Sequence, residues 1–194
     1  MENILSQTYW DNRYQENNIG WDIGHVSPPL KNCIDQISNK NAAILIPGAG
    51  NAYEADYLLS AGFTHITIID IAPSVVTKLK EKYRDNPAIK IILGDFFKQE
   101  MKFDIILEQT FFCAIDTSLR KKYVEKMHAI LNEKGILMGV LFNRSFEGGP
   151  PFGGNTEEYN ALFSTHFEIK KMEPCLCSIA PRLGHEVMIE FIKK

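Results

Sequence analysis

The sequence has no apolar run long enough to cross a bilayer: the longest stretches, 136–142 and 66–69, fall far short of the ~18 residues that suggest a span. Its opening, MENILSQTYWDNRYQ, turns polar at once and lacks the basic-then-apolar order of an export signal, so a cytoplasmic location is expected. Cysteine is scarce. Cys33, Cys113, Cys175 and Cys177 are scattered and read as reduced thiols, and the Cys175-Leu176-Cys177 pair lacks two further ligands at metal spacing, so no metal is expected. Basic excess is missing as well. Lys and Arg number 21 against 24 Asp and Glu, a net charge of −3 without the stripe that neutralises phosphates, which argues against nucleic acid as partner. There is no repeat and no low-complexity segment.

What remains is a chain of 194 residues, 45% hydrophobic and 23% charged, enough to close one core and sized for one domain over 1–194. Apolar runs alternate with helical patterns, the mark of a mostly parallel sheet with helices on both faces. Strands are expected at 43–46, 65–69, 89–93, 103–107 and 135–142, with helices at 53–61, 74–83, 118–131 and 157–164. The last two strands, 167–173 and 186–193, make seven and pair as an antiparallel hairpin at one sheet edge. The Gly- and Pro-rich segment 145–155 is too long for a simple connection and reads as a lid or substrate wall.

In such a sheet, ligands lie across the carboxyl ends of the strands near the point where strand order reverses. Gly48 and Gly50 follow the first strand and allow a sharp turn with close backbone approach, or simply a strand-to-helix turn. Tyr53 stands where a dinucleotide fingerprint has its third glycine, which weighs against a pyrophosphate. Asp70 ends the second strand, placed to accept from both hydroxyls of a ribose, or else to cap the next helix in competition with Ser74. Asp95 ends the third strand and suits an exocyclic adenine amine or a helix cap, while Ile71 or Phe96 offers the ring an apolar face. Together they describe an adenosine cleft, common to NAD, FAD and S-adenosylmethionine.

The segments Trp10-Asp11-Asn12-Arg13-Tyr14, Gly20-Trp21-Asp22-Ile23-Gly24 and Pro47-Gly48-Ala49-Gly50-Asn51 carry a resemblance to the thiopurine S-methyltransferase superfamily. So do Gly94-Asp95-Phe96-Phe97, the stretch from Glu108 to Asp116 with Arg120 and Tyr123 after it, and Gly148-Gly149-Pro150-Pro151-Phe152. The pattern is most similar to the halide and thiol methyltransferase branch. It implies a Rossmann-like class I methyltransferase fold, S-adenosylmethionine as cofactor and a small thiol, halide or related soft nucleophile as acceptor. It implies that Trp10, Trp21, Gly48, Asp70, Asp95 and Phe96 contact the donor under a cover formed by 1–40. Tyr14 occupies a slot that tends to hold tryptophan in the halide branch. Gln109, Thr110 and Phe111 are implied to line the reaction centre, with Phe152 as an apolar wall. Arg120 matches an arginine assigned to holding an anionic or thiol substrate; beside Lys121 and Lys122 it also reads as an exposed helix charge. The tryptophans also read as core residues of an N-terminal helix.

Methyl transfer to a thiolate or halide needs positioning and desolvation more than base catalysis, which agrees with the lack of any obvious catalytic dyad. His25, His65, His128 and His166 read as packing or surface residues, with His185 a remote candidate. Two other readings remain open: an NAD-dependent oxidoreductase using the same cleft, and a non-catalytic S-adenosylmethionine sensor.

Overall fold

The computed structural model describes residues 5–194; residues 1–4 of the expected cover lie outside the described residues. Seven strands form one sheet in the order β3-β2-β1-β4-β5-β7-β6. They are β1 (Ile44–Pro47), β2 (Ile66–Asp70), β3 (Ile89–Leu93), β4 (Phe103–Glu108), β5 (Leu131–Phe142), β6 (Phe167–Pro174) and β7 (Glu186–Lys193). β1 through β5 pair in parallel, whereas β7 runs antiparallel between β5 and β6. Strand order reverses between β1 and β4, which makes the crevice beyond their carboxyl ends the place for a ligand.

Helices α1 (Gln7–Gln15), α2 (Pro28–Asp35), α3 (Tyr53–Ser60), α4 (Pro73–Lys82), α5 (Arg120–Ile130) and α6 (Thr156–Phe163) complete the chain. Strand side chains alternate between faces, and each face has its own core. Ile44, Ile46, Ile105 and Leu107 join Leu30 of α2, Leu58 of α3 and Leu79 of α4. Leu45 and Ile106 face the other way, towards Tyr123 and Met127 of α5 and Phe163 of α6. Burying each of these side chains stabilises the fold by ~1.5–3 kcal/mol. α1 differs from the other helices in having no buried residue; Trp10 and Tyr14 lie half-buried against the first core.

The expected elements stand within a few residues of the observed ones, and 89–93 and 186–193 match. The largest departure is at 118–131. There a short 3-10 turn, Thr117–Leu119, precedes α5, and β5 begins at Leu131, earlier than the expected Gly135. Leu131 is fully buried opposite Phe103, so hydrophobic docking starts the strand before the turn residues Asn132 to Gly135, and Lys134 takes a left-handed φ of +62° to step the register. Among the described residues, no helix is long and apolar enough to cross a membrane, and no group of three or more His, Cys, Asp or Glu is placed to hold a metal.

Candidate functional site

The carboxyl ends of the parallel strands open on a cavity of about 620 Å³. Its base is the turn after β1, where Gly48 and Gly50 take φ of +58° and +52°, a region costly for residues with a Cβ. A Cβ on Gly48 would lie 2.4 Å from Phe111 Cδ2, and one on Gly50 2.7 Å from the Tyr14 hydroxyl oxygen. The bare turn thus lets rings from two distant segments close over it. Gly48 lines the cavity. Gly50 lines a smaller hollow of about 70 Å³, which shares Tyr14, Trp21, Gly48 and Thr110 with the larger one.

Asp70 ends β2 and is 6% exposed. Its Oδ2 accepts from the Gly50 amide at 3.1 Å and its Oδ1 from the Ala72 amide at 2.9 Å. Burial still pushes this carboxyl above the ordinary aspartate range, outweighing those amides. A carboxylate has about four acceptor positions, so Asp70 keeps capacity towards the cavity it lines. Capping of α4 is handled differently from either expectation: Ser74 donates its amide to Asp11 Oδ1 of α1 at 2.8 Å. Asp95 caps the 3-10 turn Phe96–Lys98 through the Phe97 amide at 2.8 Å, and also lines the cavity beside Ile71 and Phe96.

Trp10, Tyr14 and Trp21 wall the same end. Trp21 meets both other rings edge-on, with centroids 5.8 Å from Trp10 and 5.7 Å from Tyr14, and the Arg13 guanidinium stacks 4.9 Å from it. Burial and the nearby Asp70 charge raise the Tyr14 hydroxyl above its usual range, so it stays neutral. The segment is tied down by Gln7 Nε2 donating to the Ile71 carbonyl at 3.0 Å, and by Asn51 Nδ2 and the Tyr53 hydroxyl donating to Asp22 at 2.5 and 3.1 Å.

Thr110 and Phe111 line the cavity after β4, but Gln109 does not: it turns to the smaller hollow, where its Oε1 accepts from the Ser27 hydroxyl at 2.5 Å. Phe152 is also off the wall. Its ring lies against Gly149, 2.3 Å from where a Cβ would stand, and Pro150 and Pro151 face the cavity in its place. Arg120 is neither at the cavity nor exposed. Buried at the start of α5, it pairs with Glu158 of α6 at 2.5 Å, donates to the Gly153 carbonyl at 2.6 Å and lies 4.8 Å over the Phe112 ring. Its guanidinium therefore ties α5 to α6 and to segment 145–155.

Sequence reasoning missed Arg144 and Arg182, which line the cavity together with Arg13 and Lys122, and gave His185 only a remote role. Arg144 stacks 4.7 Å from the Phe146 ring; Arg182 donates to the Trp21 carbonyl at 2.9 Å and lies 3.8 Å from Glu186. No local motif marks these residues. They meet because the Asn143 amide donates to the His185 carbonyl at 2.7 Å, joining the end of β5 to the start of antiparallel β7. The pairing itself was the available signal, since it brings both loops to the cavity end of the sheet.

Known proteins share this arrangement. A likeness to solved structures includes the Burkholderia thailandensis 1,6-didemethyltoxoflavin-N1-methyltransferase bound to S-adenosylhomocysteine (TM-score 0.77, 17% identity, 97% of this chain and 87% of that one). A TehB-like SAM-dependent methyltransferase from Corynebacterium glutamicum gives a TM-score of 0.67 at 17% identity, over 97% of this chain and 98% of that one. Among sequences, a probable thiol methyltransferase 2 of Arabidopsis thaliana is 29% identical over 91% of this chain and 81% of its own. A thiopurine S-methyltransferase of Acinetobacter baylyi is 25% identical over 93% and 94%. The thiopurine S-methyltransferase family matches residues 5–182, nearly the whole chain. With the seven-stranded order, the bare turn after β1 and the acid that ends β2, this match means that the chain belongs to the thiopurine S-methyltransferase family, whose enzymes depend on S-adenosylmethionine.

Proposed function

We propose that the protein transfers the methyl group of S-adenosylmethionine to a small soft nucleophile, a thiol before a halide or thiocyanate. The observation that carries this reading is the set of groups that converge on the cavity. Asp70 and Asp95 stand at the ends of β2 and β3 on one side of the switch point, with Arg13 beside Trp21, and Arg144, Arg182 and His185 stand beside β5 and β7 on the other, with Asp116 and Lys122 also in the wall. When bound, S-adenosylmethionine supplies an electrophilic methyl on a sulfonium.

The residues at the acidic end fit that group. Asp70 retains acceptor positions for ribose hydroxyls, Asp95 suits an adenine amine, and Ile71 and Phe96 offer the ring apolar faces. Trp10, Tyr14 and Trp21 present faces that attract a cation by ~0.5–2 kcal/mol. The smaller hollow, with Glu54 and Gln109 in its lining, suits an amino-acid tail.

At the other end, Phe142, Phe146, Pro150, Pro151 and Pro181 line the cavity beside Arg144 and Arg182. Positive charge at this end favours the ionised form of a thiol and draws anions in. An acceptor already ionised needs no general base, so orientation and desolvation supply the acceleration. Arg120 contributes by fastening the acceptor wall.

The test is transfer from radiolabelled S-adenosylmethionine to bisulfide, iodide, thiocyanate, a carboxylated aryl thiol and an uncharged aryl thiol. Transfer to thiols, with the carboxylated one showing the lower KM, is expected. Donor binding without transfer to any member would overturn the proposal in favour of a sensor.

A further inference from the structure

Glu108 ends β4, directly before the turn that forms the cavity wall, yet it does not itself line the cavity. Its carboxylate is 1% exposed and makes three hydrogen bonds inside the protein. Oε1 accepts from the Phe111 and Phe112 amides, each at 3.0 Å, and Oε2 accepts from the Tyr123 hydroxyl of α5. A buried carboxylate is costly unless its partners are well placed, and no chemistry assigned to the cavity uses this one.

Its partners explain its presence. The turn between β4 and the 3-10 turn Phe112–Ala114 contains Thr110, whose φ of +58° is one that a β-branched residue rarely adopts. Something outside the turn must hold it, and the two amides bound by Glu108 are those immediately after Thr110. Phe111, so anchored, lies over Gly48 and meets Phe96 edge-on at 5.1 Å. Further on, the Cys113 carbonyl accepts from the Phe152 amide at 2.7 Å, which links the same turn to segment 145–155.

We propose that Glu108 is a positioning residue for methyl transfer, its carboxylate fixing the Phe111 and Phe112 amides so that the turn presents Thr110 and Phe111 as the acceptor wall. The kinetic part rests on the methyltransferase reading above, whereas the placement of the carboxylate can be read without activity. Burial pushes the Glu108 carboxyl up to about 7 despite the Tyr123 hydroxyl and the two amides. The titratable groups facing it are Tyr123 on α5, Cys113 in the turn and Tyr159 on α6, and burial raises all three so that they stay neutral. Glu108 is thus the group among them that changes charge near neutral pH.

The experiment compares E108Q, E108A and Y123F with the unaltered protein in donor Kd, acceptor KM and kcat, together with pH titration of the backbone amide signals of Phe111 and Phe112. E108Q keeps an oxygen for both amides and a donor for the Tyr123 oxygen, so its kinetics should stay within about twofold of the parent. E108A should raise acceptor KM at least about tenfold while leaving donor Kd within about twofold, a loss confined to one substrate. Y123F should fall between them and keeps the proposal open to refutation if E108A fails to fold. The two amide signals should titrate with a midpoint near about 7 in the parent and not in E108Q. Amides that ignore pH across that range, or an E108A that loses donor and acceptor affinity alike, would overturn the proposal. An inactive protein whose amides still titrate would refute the function and leave the carboxylate's role in the turn standing.

Discussion

The proposed donor side of the cavity and the proposed acceptor side are built by different means. On the donor side, each key residue sits within a few positions of a parallel strand's carboxyl end: Gly48 and Gly50 after β1, Asp70 at the end of β2, Asp95 after β3. On the acceptor side, the wall comes from residues within 110–116, 142–151 and 181–185, and it is fastened by buried polar ties, Glu108 to Tyr123 and Arg120 to Glu158 and Gly153. Strand ends are rigid because the sheet is. Loops acquire comparable order only where a polar group inside the protein satisfies their backbone. Damage to one side should therefore leave the other largely intact.

Replacing Asp70 with Ala is the severest test. It strands the Gly50 and Ala72 amides and removes the proposed acceptor for ribose hydroxyls, so donor affinity should fall more than a hundredfold, ~3 kcal/mol. Titration calorimetry with S-adenosylmethionine measures this, and an acceptor KM that rises equally would erase the distinction between the two sides. A second effect comes from pH. Because the folded-state carboxyl of Glu108 lies near about 7, above its ordinary 4.5, its favourable contribution is complete below pH 4.5 and is lost as pH rises through about 7. Denaturant unfolding of the parent should show this loss, on the order of 3 kcal/mol, and E108Q should lack it.

Arg120→Ala comes next. Arg120 is buried but Glu158 is 36% exposed, so the loss in unfolding free energy should be ~2 kcal/mol, below the range for a fully buried pair. Acceptor KM should rise and donor Kd should not. A donor-specific defect would show that the arginine acts elsewhere. The smallest effect is expected for Asp11→Ala, which removes the cap from α4 and one tie of α1, costing ~1 kcal/mol in thermal or chemical unfolding. Its kinetic consequence should appear in donor affinity, because α1 carries Trp10 and Tyr14.

The same division explains what could be read from the sequence. The buried strand Ile66–Asp70 and the half-exposed edge strand Ile89–Leu93 announce themselves as apolar runs, and the acids placed at or just beyond them follow from local order alone. Arg120 could not be understood that way. Its neighbours Lys121 and Lys122 are exposed, and only the arrival of Glu158, 38 positions later, makes a buried arginine tolerable. Phe152 was a reasonable wall residue by type, but the space offered by Gly149 drew its ring inward and left two prolines facing the cavity. Gln109 is adjacent to the right residues in sequence, and the left-handed φ at Thr110 sends the following residues in another direction. Arg144 and Arg182 owe their meeting to a pairing across the hairpin, which no window of sequence contains.

The reversed direction of β7 also bears on how such a protein can be altered. Because β7 runs against β5, the segment leaving β5 and the one entering β7 emerge at the same margin of the sheet, next to each other and away from β1 to β3. Doubling the length of a flexible connection costs only ~0.6 kcal/mol in closure entropy, so these two segments tolerate insertion and exchange far better than the strands that bear them. Grafting their counterparts from a relative, together with the polar ties that order them, offers a route to new acceptor preferences on an unchanged nucleotide scaffold.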